Sequence, residues 1–138
     1  MDKLDLIYQM QAELNVIFGR DTVNDPRRVE WLFDYTEALS SEVQELKDCI
    51  NWKFWSEEGK EKQYKKLIDS KNAKIEAIDC LHFLITIFQI LGMTPEEITN
   101  IYKLKHEKNA IRATTNYSVV NKTEDDNNEI KTKITEVL

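Results

Sequence analysis

An all-α fold, a helical bundle of four to five helices, is predicted by three features of the sequence. Glycine and proline are scarce, 3 and 2 residues in 138, which leaves few tight turns for hairpins. Apolar residues recur at spacings of three and four over long windows, the signature of helices with one buried face. Start and stop signals punctuate those windows: Asp25-Pro26 and Thr94-Pro95-Glu96-Glu97 as starts, Gly19 and Gly92 as stops.

The first helix is expected from about Leu4 to Phe18. There Leu4, Ile7, Met10 or Gln11, Leu14 and Phe18 keep helical spacing, and Gly19 supplies the stop. A polar loop follows, Arg20 to Asn24. Asp25 as N-cap and Pro26 in the first turn open a long second helix, about Pro26 to Asn51 or beyond. Leu32, Tyr35, Leu39, Val43, Leu46 and Ile50 form its apolar stripe. Glu42 and Glu45 border that stripe and can face inward without displacing it. Trp52 to Asp69 is aromatic and then highly charged, an exposed connection around Gly59 with a short helix near Lys62–Ile68. The third helix, about Lys71 to Leu91, is apolar nearly all round and therefore buried. Thr94 as N-cap, Pro95 in first position and Glu97 completing a capping box start the fourth, which runs to about Ala113. Residues 1–117 form one domain; residues 118–138 are expected to be a polar, mobile tail, in which Ile130, Ile134 and Leu138 can make a weak terminal helix.

The net charge is −6 and there is no long basic block, which disfavours nucleic acid as a partner. Cys49 and Cys80 have no metal-site spacing and read as free thiols. The opening residues Met1-Asp2-Lys3-Leu4-Asp5 lack a signal-peptide layout, and Ile75–Leu91 is too short and too interrupted by charge to be a membrane span. The expectation is a cytoplasmic protein without a membrane partner.

The chemistry lies in four carboxylates arranged as two pairs, Glu42-x-x-Glu45 and Glu76-x-x-Asp79. Residues three apart sit about 60° apart round a helix, so each pair can point one way. Glu76, Asp79, His82, Thr86 and Gln89 make one polar stripe along the otherwise apolar third helix. Buried carboxylates need partners. Four converging anions suit a hard divalent cation with oxygen ligands, magnesium above all. Such an ion binds phosphates and activates water, so the arrangement suits hydrolysis of a nucleotide or another polyphosphate. The ordinary alternative is a solvated face, on which acids three apart are common. It fits Glu42 and Glu45 well and the apolar setting of Glu76 and Asp79 poorly.

Other residues can serve the same site. Trp52-Lys53-Phe54-Trp55 offers a ring, Trp52 or Trp55, to stack on a base and an ammonium for phosphate. A hydrophobic corner at a helix end is the plain alternative. Gln11 and Asn15, four apart, can read a base edge or simply face solvent. Lys105, Asn109 and Arg112 recur along one face of the last helix, with Tyr117 beyond, as a cationic clamp or as ordinary surface charge. His82 reads as a hydrogen-bonding neighbour of the acids rather than a ligand. No nucleophilic triad, glycine-rich phosphate loop or CxxC motif occurs.

Together these residues resemble the all-α dimeric deoxyuridine triphosphatases, within the MazG-like nucleotide pyrophosphohydrolase superfamily. Glu42-Val43-Gln44-Glu45 and Glu76-Ala77-Ile78-Asp79 match the superfamily's paired acids. Trp52-Lys53-Phe54-Trp55, the Asp79-to-Phe83 segment with its histidine, and Gln11 with Leu14-Asn15 match the deoxyuridine triphosphatase branch. So do Tyr102, Lys105, Asn109, Arg112 and Tyr117, although His106, Ala113 and Asn116 depart from the usual final motif. The resemblance implies that Glu42, Glu45, Glu76 and Asp79 hold two or three Mg2+ ions, with Mn2+ as a substitute. It implies attack of water on the β phosphorus of dUTP, giving dUMP and pyrophosphate, with Glu42 orienting or deprotonating the water. It implies phosphate contacts from Lys53, Lys105 and Arg112, and nucleoside contacts from Gln11, Asn15, Asn109 and Trp52 or Trp55. It also implies a homodimer in which Tyr117 reaches the partner's substrate. Two alternatives stand beside it: a sister enzyme acting on another triphosphate such as dCTP, and a non-catalytic helical module that binds a protein.

Overall fold

The computed structural model describes residues 1–57, 63–115, 125–134 and 136. Five α-helices and one 3-10 turn form in this order: α1 Lys3–Ile17, the 3-10 turn Arg28–Trp31, α2 Leu32–Lys47, α3 Ser70–Ile90, α4 Pro95–Thr114 and α5 Asp125–Lys131. The described residues contain no β-strand, only a single antiparallel bridge between Ile50 and Leu67.

The capping residues set the ends of α1, α3 and α4. Asp2 accepts from the Leu4 amide, Asp69 from Asn72 and Thr94 from Glu97, each meeting one of the orphan N–H groups of a first turn. Gly19 and Gly92 stand at φ 88° and 74°, the left-handed region that closes a helix. The bonds around them complete the motif: Arg20 N–H to Asn15 O at 2.9 Å, and Met93 N–H to Phe88 O at 2.9 Å.

Three expectations are corrected: both ends of α2 and the short helix before α3. α2 begins at Leu32, not near Pro26. The Asp25 side chain accepts from the Arg27 amide two residues on, at 2.8 Å, and the chain continues through tighter 3-10 bonds, Arg28 N–H to Asp25 O and Glu30 N–H to Arg27 O. The short helix expected near Lys62–Ile68 does not form over residues 64–68; Lys62 and Gly59 lie outside the described residues. Lys65 takes a positive φ of 65°, and residues 66–68 pair instead with the end of α2. Asn51 N–H donates to Lys66 O at 2.9 Å, and Ile68 N–H to Cys49 O at 2.8 Å. That pairing ends α2 at Lys47 and fixes where α3 starts.

α3 is the central rod, packed on α2 along its length and on α1 near its C-terminal half. The Tyr35 and Phe83 rings meet across α2 and α3, their centroids 6.2 Å apart. The Tyr8 hydroxyl donates to Met93 O at 2.9 Å, tying α1 to the α3–α4 turn. Part of the expected tail is helical: α5 lies against α4, with Ile130 buried and Lys108 paired with Glu129.

Candidate active site

α2 and α3 run antiparallel, so the two acid pairs face each other. Carboxylate oxygens of Glu42, Glu45 and Glu76 all lie within 4.8 Å of one another. Asp79, one turn further along α3, is close enough for its charge to act on both Glu42 and Glu76. Glu42, Glu76 and Asp79 are half-buried and Glu45 is exposed, so the cluster opens on one side to solvent. The Oε2 atoms of Glu42 and Glu76 are buried without a hydrogen-bond partner.

The electrostatics follow from this crowding. The Glu42 carboxyl is pushed up to about 7, first by removal from water, then by Glu45, with Asp79 and Glu76 adding to it. Glu76 is raised as well, again by burial first and then by Glu45. The Cys80 thiol, raised by burial and by the same acids, stays neutral. A donor set made only of carboxylate oxygens, two of them buried and unpartnered, fits a hard divalent cation and offers nothing to a soft one.

The other sequence-predicted residues fall into three groups. Gln11 and Asn15 are buried, 7% and 3% exposed, and point from α1 into the polar stripe of α3. Asn15 Nδ2 donates to Thr22 Oγ1 and Thr86 Oγ1, each at 3.0 Å. Gln11 meets His82 on α3, one turn past Asp79. Trp52, Lys53 and Trp55 form an aromatic corner just beyond α2. There Trp52 Nε1 donates to Asp48 at 3.0 Å, and its ring packs edge-on to Trp55, centroids 5.8 Å apart. The Lys53 and Lys47 ammonium groups both lie over the Trp52 ring, at 5.5 Å and 5.0 Å. Lys105, Asn109 and Arg112 sit on α4, which packs on α1 and α5. Lys105 donates to Asn127 of α5 at 3.2 Å, and Arg112 to Asn109 at 3.3 Å. Tyr117 and Asn116 lie outside the described residues.

Sequence reasoning missed Thr22 and Lys47. Thr22 is fully buried beneath the network, yet its loop position carries no periodic signal. Lys47, in the last turn of α2, is the kind of residue any helix end favours.

The profile of a family described as dUTPase matches residues 3–88, from α1 through most of α3. The chain belongs to the dUTPase family. The matched span holds all four acids, Gln11, Asn15, Trp52, Lys53 and Trp55, and stops before α4. The dCTP pyrophosphatase of Enterobacteria phage LZ5 is 28% identical over 144 residues, covering 85% of this chain and 84% of that protein. The dCTP pyrophosphatase of phage T4 is 28% identical over 142 residues, covering 84% and 83%. A DNA replication protein of phage T4 is also 28% identical, over 77% of this chain but 34% of its own length. No solved structure matches. Membership makes the chain a nucleoside triphosphate pyrophosphohydrolase of the dUTPase family, built entirely of helices in the described residues.

Proposed function

We propose that this dUTPase-family protein hydrolyses dUTP to dUMP and pyrophosphate, with Mg2+ held by Glu42, Glu45, Glu76 and Asp79. The observation that carries the reading is the convergence of three carboxylates from two antiparallel helices, two of their oxygens buried and unpartnered. When bound, divalent cations would lower the pKa of coordinated water and offset charge on the triphosphate. Glu42 is the residue we assign to orient and deprotonate the attacking water, because its Oε2 is already stripped of other partners. Lys53, Lys105 and Arg112 supply positive charge for the phosphates. Gln11, one helical turn beyond Asp79 by way of His82, addresses the base, and a ring of the Trp52–Trp55 corner stacks on it.

A second copy of the chain completes the enzyme in this reading. Ile7, Met10, Leu14 and Ile17 of α1 line a groove of about 440 Å3 with Ile78, Leu81 and Ile85 of α3, and Gln11 and His82 line it too, so the base site and the subunit contact would adjoin. Several of these side chains stand in water, Met10 58% and Ile78 55% exposed, and a like surface would cover them.

The names of the two phage relatives favour a second reading, dCTP as substrate. A panel of deoxynucleoside triphosphates, with and without Mg2+ and read by pyrophosphate release, separates the two. Fastest turnover of dUTP, dependent on Mg2+, is expected. Faster turnover of dCTP replaces the first reading by the second, and no pyrophosphate from any triphosphate overturns both.

A further inference from the structure

We propose that His82 is a positioning residue for base choice: it holds the Gln11 amide in one orientation, so that Gln11 presents an N–H donor to the pyrimidine. The proposal rests on the reading that Gln11 meets the base. It adds what decides the direction of that contact.

The direction can be worked out from two backbone carbonyls, which only accept hydrogen bonds. Gln89 donates its Nε2 to Tyr8 O at 2.9 Å, so its Oε1 faces the other way. That oxygen accepts from Thr22 Oγ1 at 2.6 Å and from Asn15 Nδ2 at 3.4 Å. Thr86 donates its hydroxyl proton to His82 O at 2.9 Å, which leaves a lone pair for Asn15 Nδ2. The Asn15 amide nitrogen is thus held inward by acceptors, and its Oδ1 must face Gln11. Gln11 Nε2 donates to that oxygen at 3.0 Å. Gln11 Oε1 is then turned toward His82 Nδ1, 2.5 Å away. An amide oxygen only accepts, so Nδ1 of His82 carries the proton.

Gln11 is therefore held at both ends. Turning its amide over would set oxygen against Asn15 Oδ1 and would force the His82 proton from Nδ1 to Nε2. One Nε2–H of Gln11 remains unused by this network, whereas both Asn15 donors are taken up inside it. Gln11, not Asn15, is the group able to read the base, and it reads with a donor. The 4-carbonyl of uracil accepts such an N–H, whereas the 4-amino group of cytosine meets it donor to donor. Polar groups left unpaired in this way are what lets a site reject a close analogue.

Kinetics of dUTP and dCTP hydrolysis by four proteins test this: the wild type, His82→Leu, His82→Asn and Gln11→Leu, each checked for an unchanged thermal melt and helical circular dichroism. The wild type should favour dUTP in kcat/KM. His82→Leu should cut that preference about tenfold, the loss of one well-made hydrogen bond. His82→Asn, which keeps an N–H near the Nδ1 position, should retain it. If Gln11→Leu leaves the ratio unchanged, Gln11 does not meet the base, and both the reading and the proposal fail. If Gln11→Leu alters the ratio and His82→Leu does not, only the His82 proposal fails. A wild-type preference for dCTP also overturns it. Independently of activity and of how any variant folds, long-range proton–nitrogen NMR of neutral His82 in the wild type should find the Nδ1–H tautomer; the Nε2–H tautomer overturns the proposal.

Discussion

Replacing Glu42 by Gln should make the metal-free protein more stable and the enzyme nearly inactive. Its carboxylate lies within 4.8 Å of those of Glu45 and Glu76. Two unit charges that far apart repel by about 1 kcal/mol in water and about 3 kcal/mol at an effective dielectric constant of 20. The cluster opens to solvent and Glu42 is only partly ionised near neutrality, so the lower figure applies. About 1 kcal/mol corresponds to a rise in Tm of about 2–5 °C for a chain of this size. The sign with pH is fixed by the direction of the shift. The Glu42 carboxyl, ordinarily at 4.5, sits at about 7 in the fold, so the folded chain holds this proton more tightly than the unfolded one. Its contribution to stability is full below about 4.5 and lost as pH rises through about 7. In EDTA, wild-type Tm should therefore carry a downward trend between pH 5 and 8 that is weaker in the Gln variant, where only Glu76 is still raised by burial and Glu45. Magnesium should reverse the order, because a cation at 100 times its Kd adds about 2.7 kcal/mol to the protein that binds it. Pyrophosphate release should fall by about a hundredfold or more, the usual scale for losing a general base. Thermal melts with EDTA or Mg2+ and a turnover assay check all of this. A variant that melts lower than wild type in EDTA at pH 7.5, and keeps its gain from Mg2+, would refute the shared-cation reasoning.

Three further outcomes are expected. Glu76→Gln should keep the helical circular dichroism signal and abolish turnover; a module that merely binds a protein would lose nothing. Hydrolysis in 18O-labelled water should place the label in pyrophosphate if water attacks the β phosphorus, and in the nucleoside monophosphate if it attacks the α phosphorus. Asn15→Leu removes a buried donor from the oxygens of Thr22, Thr86 and Gln89 and should cost about 3 kcal/mol in a denaturant titration, far more than an exposed amide would.

Helix ends were legible wherever a local residue decides them. Thr94, Gly19 and Gly92 act within their own turn, so α1 and α3 stop and α4 starts within a residue or so of expectation, whereas the Asp69 cap of α3 was not singled out. The start of α2 was not legible, because Asp25 can cap a helix or close a tighter turn, and composition does not choose between them. The stretch before α3 was misread for a different reason. Residues 66–68 pair with Cys49 and Asn51 across a long connection, and no local propensity reports a partner that far away. The acid pairs were legible because an anion on an apolar helix demands an explanation. The fate of Gln11 and Asn15 was not, since a spacing of four says that two side chains share a face without saying whether that face meets solvent, substrate or a buried threonine.

The apolar side chains themselves argue for a second copy. Among the described residues, Cys49, Ile85, Ile90 and Ile130 are the apolar side chains fully buried, and Ile85 of α3 lines the groove between α1 and α3. Around it Ile7, Met10, Ile17 and Ile78 remain 38%, 58%, 78% and 55% exposed. Each such side chain stabilises by about 1.5–3 kcal/mol when taken fully out of water, so four of them left in solvent forgo much of what an ordinary core supplies. Two copies meeting through this face would recover it, with α1 and α3 from each making a four-helix contact. Met10→Glu or Ile17→Glu puts a charge at the centre of that contact while leaving the acid cluster between α2 and α3 alone. Sedimentation velocity should then show a dimer for the wild type and a monomer for either variant. A wild type that sediments as a monomer at tens of micromolar, with full turnover, would mean that the exposed face of α1 has no part in the enzyme and that the site between α2 and α3 is complete within one chain.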